Sequence, residues 1–84
     1  MKNVIVYTTE NCSRCVGAKA LLGRRGVAFE EINLAGQPDG REMLAEQTGR
    51  STFPQIVVDG SSIGGFDELL AADRAGRLLA LLAA

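Results

Sequence analysis

The segment Val4 to Leu22, VIVYTTENCSRCVGAKALL, decides the fold, because it joins a strand to a helix that begins with a cysteine pair. Its first four residues are β-branched or aromatic, which indicates a central strand covered on both faces. The next four are polar and end the strand. Residues 12 to 25 predict a helix in which Cys15, Ala18 and Leu22 share one apolar stripe.

Cys12 and Cys15 are the only two cysteines among 84 residues, and the chain has no histidine. At this spacing, two thiols in the first turn of a helix close a disulfide with little backbone movement. The free N–H groups and the positive end of the helix stabilise a thiolate at the leading cysteine. We therefore interpret the pair as a redox dithiol in which Cys12 attacks, and we expect the pKa of Cys12 to lie well below the value of about 8.5 for a free thiol.

Other interpretations of the cysteine pair stay open. A structural zinc site requires four ligands, which this chain does not supply by itself because it has neither a histidine nor a second cysteine pair. A static structural disulfide would close too small a loop to stabilise the fold much. Two buried thiols that only pack as small apolar groups are the remaining possibility.

The composition describes one globular domain, which we expect to comprise residues 1–84: 46% hydrophobic, 23% charged and a net charge of −1. Nine basic residues against ten acidic ones, with only Arg24 and Arg25 adjacent, argue against nucleic-acid binding. The first apolar run is far shorter than a signal-peptide core, and no segment approaches the roughly 20 apolar residues that span a bilayer. We expect a cytoplasmic protein, and in that compartment a lone cysteine pair favours catalysis or metal binding.

The remainder of the first half predicts a second strand and a second helix. Val27 to Leu34 reads as an edge strand, because two consecutive glutamates break its alternation. The helix begins at Asp39, with Glu42 placed to complete a capping box, and ends near Gly49. The residues expected to face inward from it are Met43, Leu44 and Gln47.

The second half of the chain predicts a different order of strands and helices. Gln55 to Val58 predicts another strand, and Asp59-Gly60 is a strong hairpin turn into a short strand at Ser62-Ile63. Two helices follow, the first with Asp67-Glu68 in its first turn and the second at Leu78 to Leu82. The expected fold is α/β, a four-stranded mixed sheet built as βαβα and then ββα, with helices on both faces.

Taken together, the motifs resemble those of the glutaredoxins, and in particular the small bacterial dithiol glutaredoxins. They are Tyr7-Thr8, the C-x-x-C of Cys12 and Cys15, Thr52-Phe53-Pro54, and Gly64-Gly65-Phe66-Asp67-Glu68-Leu69. The resemblance implies a thioredoxin-like fold. It also implies an enzyme of cell redox homeostasis and electron transport that uses glutathione to reduce protein disulfides and glutathione mixed disulfides.

The resemblance also implies the site residues. Cys12 and Cys15 would be catalytic, and glutathione would be bound by Arg14, Arg41, Thr52, Phe53, Pro54, Gly65, Phe66 and Asp67. In the family the proline is cis, and the residue before it pairs through its backbone with the glutathione peptide. The start of the helix after Gly64-Gly65 holds the α-carboxylate on backbone N–H groups, Asp67 meets the α-amine, and Arg41 reaches the glycine carboxylate.

Three departures from the family pattern bear on function. Thr9 stands where a lysine is frequent, and Ser13 and Arg14 replace the common proline and tyrosine inside the dithiol. The lost lysine weakens the expected glutathione binding, while Arg14 adds a cation beside Cys12 that partly replaces it and favours the thiolate.

Two alternative functions therefore remain. One is a glutaredoxin-like electron donor to ribonucleotide reductase that thioredoxin reductase recharges. The other, suggested by Ser13, is a carrier of a [2Fe-2S] cluster between two protomers, with glutathione as additional ligand. The expected main form is a monomer without resident metal, whose partners are glutathione and disulfide-containing or glutathionylated proteins.

Overall fold

Four strands and four helices make up the fold in the computed structural model, which describes residues 2–82. The strands are β1 (Val4–Thr8), β2 (Glu30–Asn33), β3 (Gln55–Val58) and β4 (Ser61–Gly64). The helices are α1 (Ser13–Arg24), α2 (Gly40–Thr48), α3 (Phe66–Arg74) and α4 (Leu78–Leu82). The predicted order of elements is confirmed.

The four strands form one mixed sheet in the order β2-β1-β3-β4. β1 pairs with β2 in parallel and with β3 antiparallel, and β3 pairs with β4 antiparallel. The two most apolar strands, β1 and β3, are therefore central, and the glutamate-bearing β2 is an edge strand, as its sequence predicts.

The second strand is shorter than the Val27 to Leu34 expected from the sequence. Gly26 N–H bonds to Gly23 O, and Val27 N–H bonds to Leu22 O at 3.0 Å. These two bonds close the end of α1 as a Schellman motif, so Val27 belongs to the helix terminus and not to the sheet. β2 begins only at Glu30.

α2 also differs from expectation in two respects. Asp39 is its N-cap residue, but the Asp39 side chain makes no capping hydrogen bond, so the predicted capping box does not form. Only Gly40 and Leu44 are buried, whereas Met43 and Gln47 are exposed. Residues 40 and 44 lie four apart and therefore share one face of the helix. The helix buries only this face, which is narrower than the predicted one.

The β3–β4 hairpin and the start of α3 match the predicted turn chemistry. Asp59 and Gly60 both have positive φ, 48° and 84°, which is the type I′ arrangement. Gly64 has φ 109°, and a Cβ at this position would lie 2.5 Å from the Glu68 carboxylate oxygen. The backbone conformation therefore favours glycine at this position, two residues before α3, and a side chain here would displace the Glu68 carboxylate.

The main core lies between one face of the sheet and three helices. Val4, Val6, Ile56 and Val58 of the central strands pack there with buried residues of α1, α3 and α4: Ala18, Leu21, Leu22, Leu69, Leu78 and Leu82. α2 packs against β3 and β4. Among residues 2–82, no helix is long and apolar enough to cross a membrane.

Glu31 ties the edge strand to β1 and α1. The buried Thr8 hydroxyl donates to Glu31 Oε2 at 2.7 Å, and Lys19 Nζ lies 3.0 Å from the same oxygen. The Thr8 hydroxyl, followed by the Lys19 ammonium, holds the pKa of the Glu31 carboxyl below its usual range. This carboxylate therefore stabilises the fold in its ionised form.

Glu31→Gln is expected to lower the free energy of unfolding at neutral pH by less than about 1 kcal/mol, since 34% of the side chain is exposed. Because folding depresses this pKa, the contribution is complete above the unfolded value of 4.5 and is lost as the pH falls through the folded value. Urea denaturation at pH 7 and pH 3 measures it, with Glu30→Gln as the control. A deficit that persists unchanged at pH 3 would contradict the assignment.

Candidate functional site

Cys12 and Cys15 form a disulfide at the start of α1, with their Cα atoms 5.2 Å apart. Cys12 is the N-cap residue of the helix, and its sulfur accepts a hydrogen bond from the Cys15 N–H at 3.1 Å. Cys12 is half-buried, whereas Cys15 is only 2% exposed. Cys12 is therefore the more accessible of the two sulfurs and lies at the positive end of the helix, as the sequence predicts.

The turn between β1 and α1 sets the position of Cys12. Asn11 has φ 52°, a left-handed conformation that asparagine tolerates better than most residues. Val16 N–H then donates to Cys12 O at 3.2 Å, which is the first backbone bond of the helix. Cys12 therefore follows the end of a central strand and lies at the edge of a surface groove.

The groove consists of two cavities of about 420 Å³ and 360 Å³ that share Arg14, Thr52 and Phe53. The first cavity also contains Thr9, Cys12 and Arg41 in its lining. The second extends to the start of α3, where its further lining residues are Arg50, Pro54, Gly65, Phe66, Asp67 and Glu68. The structure therefore brings every predicted site residue to this groove except Cys15, which lies buried behind Cys12.

The Phe53–Pro54 peptide bond is cis, as the family resemblance implies. Gln55, the next residue, is fully buried, and its Nε2 donates to the Thr52 carbonyl oxygen at 3.0 Å and to the Thr52 hydroxyl at 3.2 Å. The buried side chain thus holds the loop that forms the shared wall of the two cavities.

The start of α3 forms the far end of the groove. Gly65 N–H donates to Glu68 Oε1 at 2.6 Å, and the first helical bond runs from Leu69 N–H to Gly65 O at 3.0 Å. The N–H groups of Phe66 and Asp67 precede that bond, so they lie in the unpaired first turn that attracts anions. Since Asp67 adds a carboxylate at the same place, this end can bind a group that carries both charges.

Arg14 crosses from the dithiol toward this helix terminus. Its Nη2 donates to Asp67 Oδ1, and its guanidinium carbon lies 5.8 Å from the centre of the Phe66 ring. The Phe66 ring in turn packs against α1 at Gly17, where a Cβ would come within 3.1 Å of it. Phe66 is therefore partly buried by packing between α1 and Arg14, which the sequence alone did not resolve.

Arg41 lies at the opposite end of the groove. Its Nη1 donates to the Ser51 carbonyl oxygen at 2.6 Å, and its guanidinium carbon lies 5.5 Å from the centre of the Phe53 ring. These contacts fix a cation in the wall of the cavity that contains Cys12.

Arg50 and Glu68 are site residues that sequence reasoning missed. Arg50 Nη1 lies 2.9 Å from Glu68 Oε1, and both side chains line the second cavity. The Gly65 N–H, followed by Arg50, holds the pKa of the Glu68 carboxyl below its usual range. Glu68 lies three residues after Gly65, which is the spacing of a capping box, so the sequence contained a signal for Glu68. It contained no signal for Arg50.

No group of three or more histidine, cysteine, aspartate or glutamate side chains within residues 2–82 is arranged to hold a metal ion.

The chain matches known proteins over most of its length. The protein-family model described as Glutaredoxin matches residues 4–63. A glutaredoxin of Pseudomonas aeruginosa is 48% identical over 84 residues, which cover the whole of both chains.

Solved structures agree with these sequence matches. The solution structure of glutaredoxin from Brucella melitensis has a TM-score of 0.85 at 44% identity and covers 98% of this chain and 89% of its own. A crystal structure of buckwheat glutaredoxin has a TM-score of 0.85 at 28% identity and covers 96% and 76%. The thioredoxin-like fold expected from the sequence is confirmed. The chain therefore belongs to the glutaredoxin family, and it is a thiol–disulfide oxidoreductase.

Proposed function

We propose that this oxidoreductase takes its electrons from glutathione and reduces glutathione mixed disulfides and protein disulfides. The observation that carries the proposal is the continuous groove from the accessible Cys12 sulfur to the start of α3. Its far end offers N–H groups beside the Asp67 carboxylate, which suits the α-carboxylate and α-ammonium of a γ-glutamyl group. The buckwheat glutaredoxin of similar fold was crystallised as a complex with glutathione, which supports the proposal.

The remaining predicted contacts distribute along the groove. Thr52 and Phe53 form its shared wall and Pro54 lines the second cavity beside them, where the backbone of the peptide ligand would lie. Arg41 is the cation at the end nearest Cys12, where the glycine carboxylate would pair with it. Since Thr9 replaces the lysine frequent in the family, this carboxylate has one cation fewer than usual.

The reaction on a mixed disulfide has two exchange steps. The Cys12 thiolate attacks the glutathione sulfur, forming a disulfide between Cys12 and glutathione and releasing the substrate thiolate, which takes up a proton. A second glutathione thiolate then attacks the sulfur of the bound glutathione. Oxidised glutathione leaves, and the Cys12 thiolate is restored.

A protein disulfide requires the second cysteine. Cys12 first forms a mixed disulfide with the target, and the Cys15 thiolate then attacks the Cys12 sulfur and releases the reduced target. The product is the Cys12–Cys15 disulfide present in this structure, which two glutathione molecules reduce in turn. Because Cys15 is buried, its role is confined to this internal step.

Cys12→Ser is expected to abolish both activities, because it removes the attacking thiolate. Cys15→Ser is expected to retain most of the activity on a small glutathione mixed disulfide and to lose the reduction of protein disulfides. Steady-state assays with each substrate measure the difference. The two variants make the same chemical change three residues apart, so each is the control for the other. Normal turnover by the Cys12 variant would contradict the assignment.

The source of electrons is tested by coupling turnover to NADPH. We expect reduction of a small glutathione mixed disulfide with glutathione and glutathione reductase, and none with thioredoxin reductase alone. The reason is that a cation near Cys12 and N–H groups beside Asp67 suit the two ends of glutathione. Turnover only with thioredoxin reductase would contradict the proposal and favour the alternative donor to ribonucleotide reductase.

Activity with neither system would instead favour the cluster carrier. Anaerobic reconstitution with iron, sulfide and glutathione tests that alternative by visible absorption and by mass in solution. We expect a colourless monomer, because a [2Fe-2S] cluster requires more ligands than one chain supplies.

A further inference from the structure

We propose that Arg14 is a specificity-determining residue that competes with the ligand for Asp67. In the free protein it occupies the carboxylate that an α-ammonium group requires, and a ligand gains Asp67 only by displacing the guanidinium. This inference rests on the proposed use of glutathione. The sequence predicts that Arg14 binds glutathione as a cation and so raises the affinity. The inference assigns Arg14 the opposite effect, a lower affinity.

The pair spans the groove. Arg14 comes from the first turn of α1, between the two cysteines, and Asp67 is the second residue of α3. The Arg14 Nη2 donates to Asp67 Oδ1, and both side chains line the same cavity. Any ligand that reaches the N–H groups at the start of α3 therefore meets this ion pair.

Besides Asp67, the Phe66 ring holds Arg14 in this position. The guanidinium carbon lies 5.8 Å from the centre of that ring, and the ring packs against α1 at Gly17. A cationic group of a ligand reaches Asp67 by displacing the guanidinium.

The competition is modest in size because the pair is exposed. The Arg14 and Asp67 side chains are 54% and 71% exposed, and pairs of this kind shift an equilibrium by up to about fivefold. In the molecules in which Arg14 occupies Asp67, the ammonium group of the ligand has no access to that carboxylate. The apparent affinity for the ligand therefore falls by the same factor. A ligand that lacks the ammonium leaves the pair closed and escapes this penalty.

The test compares two inert ligands by NMR titration of the oxidised protein. One is S-methylglutathione, which cannot exchange thiols. The other is its analogue in which a glutaryl group replaces the γ-glutamyl group, so that only the α-ammonium is missing. Arg14→Gln is the variant. Arg24→Gln is the matched control, since it removes the same charge from the last turn of the same helix.

We expect Arg14→Gln to bind S-methylglutathione about two- to fivefold more tightly than the wild type and to bind the analogue with unchanged affinity. Arg24→Gln should match the wild type for both. Equal tightening for both ligands would overturn the inference, because it would indicate relief of a steric obstacle. Weaker or unchanged binding of S-methylglutathione by Arg14→Gln would overturn it as well, and weaker binding would restore Arg14 as a binding cation.

A failure of the proposed function gives a different result. If neither the wild type nor Arg14→Gln binds S-methylglutathione, glutathione use itself is wrong, and this inference falls with it. If both bind, glutathione use stands, and the ratio of the two affinities alone decides the role of Arg14.

Discussion

The position of Cys12 at the N-cap of α1 is the constraint on which the site depends. An N-cap residue lies outside the helix but faces its unpaired N–H groups, and here a sulfur takes the place of the usual side-chain oxygen. Cys15, three residues later, must then point into the core, where it is buried. One backbone geometry therefore creates both an accessible sulfur and a protected one.

Charge is balanced within the groove by short-range pairs. Arg14 meets Asp67, and Arg50 meets Glu68, whose carboxylate also caps α3. In contrast, Arg41 makes its hydrogen bond with a backbone carbonyl oxygen and lies over an aromatic ring. Arg41, which makes no ion pair among the described residues, is therefore available to an anionic ligand near the dithiol, although Glu10 lines the same cavity. At the far end the two arginines and the two carboxylates balance.

Much of the fold follows from local sequence signals. The apolar run before the dithiol, the Asp59-Gly60 turn and the acidic start of α3 each act within a few residues, so the sequence predicts them correctly. The errors arise where tertiary packing decides. Val27 completes a helix terminus instead of extending β2, and α2 buries a narrower face than its apolar pattern suggests. The Arg14–Asp67 pair joins residues 53 positions apart, and no local spacing predicts such a contact.

Gly17 shows how a residue outside the groove sets its dimensions. The dithiol lies at the start of α1 and the first turn of α3 lies at the other end of the groove, and the Phe66 ring packs against Gly17 where the two helices meet. A side chain at position 17 would act as a wedge against that ring. The Phe66 ring, which packs directly against the backbone at Gly17, therefore helps to set the distance between α1 and α3. The distance between the Cys12 sulfur and the start of α3, and hence the length of ligand that fits between them, therefore depends on packing at Gly17, a residue that does not line the groove.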